Sequence, residues 1–127
     1  MSQSAYLIGK LLDHCYGGPN YARPATVYVA LYAVGGAELS GGGYARSAVT
    51  NNATNWPAAS GGSKTNGAAI VFPAATGDWS QATAWGIYDA ATGGNLLYVG
   101  ALGAPVTVLN GATARFAVGS LTLTEAA

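Results

Sequence analysis

Asp13, His14 and Cys15 are the one place in this chain where a carboxylate, an imidazole and a thiol, the parts of a cysteine nucleophile system, stand together. Their spacing works against that use. The surrounding residues read as a helix, in which neighbouring side chains diverge by about 100° per step, so the three cannot converge on one substrate. Cys15 is therefore expected to be a small apolar residue of the core, and His14 a complement to the C-terminal helix dipole. Gly61-Gly62-Ser63-Lys64-Thr65 has the outline of a phosphate loop, but that motif needs glycine directly before the lysine and a strand-to-helix setting. Ser63 holds that position and no long helix follows. Glu38, Asp78, Asp89 and Glu125 are scattered among turns and strand ends, with no spacing suited to paired acid and base work. One histidine and one cysteine supply neither a zinc ligand set nor an internal disulfide. The chain is expected to have no catalytic site, no metal and no cofactor.

Three tryptophans and eight tyrosines could build a sugar-binding platform or fill a β core. Trp85 alternates within a strand pattern and Trp79 follows the turn Thr76-Gly77-Asp78, which favours packing for both. Trp56 lies in the polar, proline-containing stretch Asn51 to Gly67, read as an exposed loop, and is the candidate for an outward contact.

The elements that position these residues follow from periodicity. Leu7, Leu11 and Cys15 recur at spacing four, with Ile8 and Leu12 on the adjacent row, which predicts a helix over Ser4 to Cys15 capped by Ser2 or Ser4 and stopped at Gly17-Gly18-Pro19. An extended linker around Pro24 follows, so residues 1–25 form a helix-and-linker arm and residues 26–127 a β domain. Thr26 to Ala33 places Val27, Val29 and Leu31 on one face and Tyr28, Ala30 and Tyr32 on the other, the pattern of a central strand covered on both sides. Further strands are expected over Tyr44 to Thr50, Ala68 to Phe72, Thr83 to Asp89, Asn95 to Leu102, Val106 to Leu109, Thr113 to Val118 and Leu121 to Thr124. Gly93 and Gly94 suit a tight reversal between two of these, and Asn110-Gly111 signals a type I′ hairpin. Short strands at turn-rich intervals without crossover helices predict an all-β antiparallel sandwich or jelly roll with one short N-terminal helix. The expected core is Val27, Val29, Leu31, Val71, Trp85, Ile87, Leu97, Val99, Phe116, Leu121 and Leu123.

Charged residues make up 8% of the 127 residues, five basic against five acidic. No basic surplus favours nucleic acid, and the apolar residues fall in short runs broken by nineteen glycines rather than in a membrane span. A surface so poor in charge suits contact with other protein.

The motifs LLDHCYGG, ATVYVALY, SGGGYARSAVT, FPAATGDW, AWGIYDAATGGNLLYVGAL and FAVGSLTLT, spread over most of the chain, resemble a widespread group of small tailed-bacteriophage structural proteins. Relatives are often labelled tail-fibre proteins, while their size and single β domain look like the cement or decoration proteins of capsids. The resemblance implies a virion protein, assembled in the host cytoplasm, that coats the capsid exterior. There it would bind the major capsid protein and copies of itself and stabilise the joints of the shell by its binding free energy. A tail-fibre or tail-tip receptor-binding module is the alternative. Capsid or self-interface candidates are Tyr6, Leu7, Leu11, Leu12, Tyr16, Tyr21 and Trp56. Neither nucleic acid nor membrane is an expected partner.

Overall fold

The computed structural model describes residues 2–124, in the order β1 (Ser2–Gln3), α1 (Ala5–Cys15), β2 (Thr26–Ala33), β3 (Ser47–Thr50), β4 (Ser63–Thr65), β5 (Ile70–Val71), β6 (Ala82–Tyr88), β7 (Leu96–Val106), β8 (Arg115–Phe116) and β9 (Thr122–Thr124). Five strands form one antiparallel sheet in the order β1-β7-β6-β2-β3. The fold is all-β with one short helix. Val27, Val29 and Leu31 of β2 stand beside Trp85 and Ile87 of β6, and this face is buried. The turn at Gly93 and Gly94, with φ of 60° and 72°, reverses β6 into β7.

Sharing the core with that sheet is a second antiparallel unit, a ribbon whose register is set by Ser63 opposite Thr124 in β4 and β9. The pairing resumes at Ile70 opposite Phe116 in β5 and β8. Beyond the strands it continues within one residue of the same register, through Phe72 N–H to Ala114 O and Trp79 N–H to Val108 O, at 2.9 and 2.8 Å. Between the paired strands lies Asn66, 1% exposed. Its amide nitrogen donates to Ala68 O and Ala117 O, and its side-chain oxygen accepts from Leu121 N–H, each at 2.9 Å. A buried amide so fully satisfied replaces the ladder where the strands break. The stretch Asn51 to Gly67 is therefore more than an exposed loop: it ends in β4 and in this pin.

Several expectations need correction. Ile87 pairs with Tyr98 and Tyr88 with Leu96, so Leu97 is an extra residue and β7 carries a bulge. The bulge lets Leu97 and Tyr98 both enter the core, while Val99 is only half-buried and Ala101 is exposed. Ile70 and Phe72 are the inward residues of their strand, which leaves Val71 51% exposed. Phe116 and Leu123 pack against the core without being fully buried. Val106 to Leu109 is no separate strand, since β7 runs on to Val106. At Asn110-Gly111 only the glycine has positive φ, 85°, and Ala112 N–H bonds Leu109 O. That is a type II turn rather than I′.

The N-terminal segment is fastened to the sheet. β1 pairs with β7, and Ser4 N–H donates to Leu97 O at 2.8 Å. Ser4 then caps α1 by accepting from Leu7 N–H at 3.1 Å. Leu7 packs against the core. Cys15, expected inside, is exposed, because only one edge of the helix meets the body.

Candidate functional site

The sequence motifs meet at one end of the molecule. Gly41, Gly42 and Gly43 all have positive φ. Gly42 O accepts the Thr76 N–H and the Trp79 indole N–H, both at 2.8 Å. A side chain at Gly42 would strike Gly77 O and the Trp79 ring, so the close approach of SGGGYAR to the TGDW segment requires glycine there. Tyr44 packs its ring against Phe72 and Trp79, which also meet each other, and sends its hydroxyl to Glu38 Oε2 at 2.8 Å, and that hydroxyl also accepts Leu31 N–H at 3.1 Å.

Arg46 closes the assembly. Its Nε and Nη2 donate to the two carboxylate oxygens of Glu38 at 2.8 and 2.9 Å, a bidentate pair. Nη1 donates to Ala90 O at 2.9 Å and Gly93 O at 2.8 Å, inside the β6–β7 turn. The guanidinium lies 3.6 Å from the Tyr88 ring centroid, and the Tyr88 hydroxyl is bonded to that of Tyr32. Arg46 thus joins the two most distinctive motifs, GGGYAR and DAATGGNLLY. Its hydrogen bonds hold the Glu38 carboxyl below the usual carboxylate range, and burial pushes the Tyr32 and Tyr44 hydroxyls up. Asp89 is partly desolvated, which opposes ionisation, but the bonds from Asn95 and its own backbone N–H, with the charge of Arg46, together outweigh this and lower it. With both carboxylate oxygens of Glu38 and three nitrogens of Arg46 engaged, the cluster is a clamp holding two loops together.

The expected interface residues do not gather into one patch. Leu12 and Tyr16 are exposed, at 54% and 79%, and Tyr6 at 36% lies under Lys10 Nζ. Leu7 and Leu11 are half-buried against the body. Tyr21 is also half-buried, and its N–H donates to His14 Nδ1 at 2.9 Å, so His14 ties the linker back to α1. Trp56, expected to face outward, is 6% exposed and belongs to the core. The Asn52 carbonyl accepts its backbone N–H and the following chain returns into β4, which folds the indole inward. Ile8, 43% exposed, joins Leu12 and Tyr16 at spacing four to form an outward apolar row, and no residue of α1 is buried. Sequence periodicity found the apolar helix but could not say which edge the body covers.

Among the described residues no three His, Cys, Asp or Glu side chains cluster as metal ligands, and no helix is long and apolar enough to cross a membrane. Residues 2–124 match the family described as Podophage GP4 fiber I protein gp80. No curated protein matches the chain. The match spans all the described residues, and the chain belongs to this family of phage structural proteins.

Proposed function

We propose that the chain is a non-enzymatic fibre subunit of a podophage virion, attached to neighbouring protein through the outward row of α1. The carrying observation is that row: Ile8 and Leu12 are exposed on a helix that the fold itself fastens at Ser4 and Leu7, and the C-cap residue Tyr16 is exposed beside them. A rigid element with its apolar row left in water gains free energy when protein covers it, at roughly 25 cal/mol per Å2 of apolar area. The family's fibre description supports the same reading. The polar clusters support a passive role, since Arg46, Glu38, Tyr44 and Asn66 are taken up by internal hydrogen bonds.

A capsid cement role is the second reading, favoured by a neutral chain with 8% charged residues, which can pack on a shell without desolvating many ions. In that case the partners are the major capsid protein and other copies of the chain. Electron cryomicroscopy of intact particles, with gold-labelled antibody to this chain, separates the two. Label at a few discrete fibres is the expected result. Label spread evenly over the shell, with particles lacking the chain losing DNA more readily on heating, would replace the fibre reading with the cement reading.

A further inference from the structure

Asn-Gly is the dipeptide most prone to deamidation, because a glycine nitrogen with no side chain beside it has open access to the preceding carboxamide. The chain has two such pairs, Asn66–Gly67 and Asn110–Gly111. At the first, the fold imposes both residues. Asn66 is 1% exposed where the ribbon breaks, with its side-chain nitrogen donating to Ala68 O and Ala117 O and its side-chain oxygen accepting from Leu121 N–H, each at 2.9 Å. A β-carbon at position 67 would stand 2.3 Å from Thr54 O and 2.8 Å from the Pro57 ring, so only glycine fits beside it. At the second pair, Asn110 is exposed in its turn, where its N–H donates to Asp78 Oδ1 and Gly111 N–H donates to Ala75 O, both at 2.8 Å.

Deamidation requires the Gly67 nitrogen to lose its proton and attack Asn66 Cγ, forming a cyclic succinimide as the Cγ–Nδ2 bond breaks and ammonia leaves. Water then opens the ring to aspartate or isoaspartate. In the fold Gly67 N–H donates to Asn55 O at 2.6 Å and two carbonyls hold the amide nitrogen that would leave, so neither atom is free to react. The product, in turn, does not suit the site. An aspartate carboxylate has no hydrogen to offer Ala68 O and Ala117 O and would bury its charge against those oxygens. Isoaspartate also lengthens the main chain between β4 and β5, against the register that sets Ser63 opposite Thr124 and Ile70 opposite Phe116. We propose that Asn66–Gly67 is a latent modification site: Asn66 deamidates only when the ribbon opens, and its product prevents the ribbon from closing again. Asn110–Gly111, on a surface turn with no buried amide to lose, is the same chemistry without that consequence.

The test incubates the full chain in mildly alkaline buffer with and without denaturing urea, measures aspartate and isoaspartate at each site by peptide mapping, and follows recovery of the native fold on dilution. In urea the two sites should convert at similar rates. In the native chain Asn66 should convert at least about a hundredfold more slowly than in urea, and Asn110 at least about tenfold faster than Asn66, because a surface turn opens more readily than a buried ribbon. The fraction that regains the native fold should fall in step with conversion at Asn66 and should not depend on conversion at Asn110. Asn110→Asp should accordingly refold as the native chain does. Conversion of Asn66 in the native chain as fast as Asn110 or as fast as in urea would overturn the proposal, as would full recovery of the native fold by chains already converted at Asn66.

Discussion

At the end where residues 38–46 meet residues 89–95, Arg46, Glu38 and Tyr44 direct their hydrogen bonds at one another and at the neighbouring turn. On α1 and its C-cap the opposite holds, for Ile8, Leu12 and Tyr16 present large apolar surfaces to water. The first region carries the most distinctive motifs and serves the fold. The second carries a plain helical repeat and is free to serve a partner. A conspicuous motif built from glycine, tyrosine and arginine is therefore compatible with a purely architectural task.

Substitutions should separate these regions by size of effect. Arg46→Ala removes a bidentate pair, two bonds to the turn and the cover over Tyr88, and strands a partly buried Glu38. A loss of roughly 3–5 kcal/mol is expected in urea unfolding. Arg46→Lys should recover only a part of this, because an ammonium cannot span Glu38 and the two turn carbonyls together. A loss under about 1 kcal/mol for Arg46→Ala would show that the clamp is dispensable.

Next in size is Gly100→Ala. Trp85 lies across Gly100, its cross-strand partner, so a methyl group there would enter the ring, with an expected cost of about 1–3 kcal/mol. Gly86→Ala should behave alike on the opposite face, where Tyr32 covers the glycine.

The clamp also sets a pH dependence. Glu38 titrates below its ordinary value of 4.5 in the folded chain, so the unfolded chain takes up the proton first. Its contribution is complete above about pH 4.5 and is lost as pH falls through the folded value. In the alkaline direction Tyr32 and Tyr44 stay protonated in the fold while the unfolded chain ionises above their ordinary value of 10.0, so stability falls as pH rises past that point. Denaturation midpoints across pH should show both limbs, and Glu38→Gln should flatten the acid one.

Smallest of all should be Ile8→Gln with Leu12→Gln. Both side chains are largely in water, glutamine is a good helix former, and the unfolding free energy should move by no more than about 0.5 kcal/mol.

How much of this was legible in the sequence depends on the length of each signal. The eight-residue alternation of β2, the i, i+4 rows of α1 and the glycine turn before β7 are long or unambiguous patterns, and the sequence reading locates them well. The ribbon has strands of two or three residues held by Asn66, and a lone buried asparagine in a polar stretch looks like a loop residue until its partners 51 and 55 positions away are seen. The bulge at Leu97 inverts the apparent alternation of β7, and no local residue announces it. Trp56 reads as an outward residue because its context is polar, although its indole folds back into the core. Arg46 makes its contacts 44 and 47 residues away, so nothing local to either motif shows that they are joined.

The most direct test of α1 as the attachment element is to supply the Ile8→Gln/Leu12→Gln chain to particles assembling without the native protein and to count its copies by quantitative mass spectrometry of purified virions. The expected result is a folded protein with an unchanged unfolding midpoint that is nearly absent from the particles. Incorporation at the native copy number would contradict the role assigned to α1.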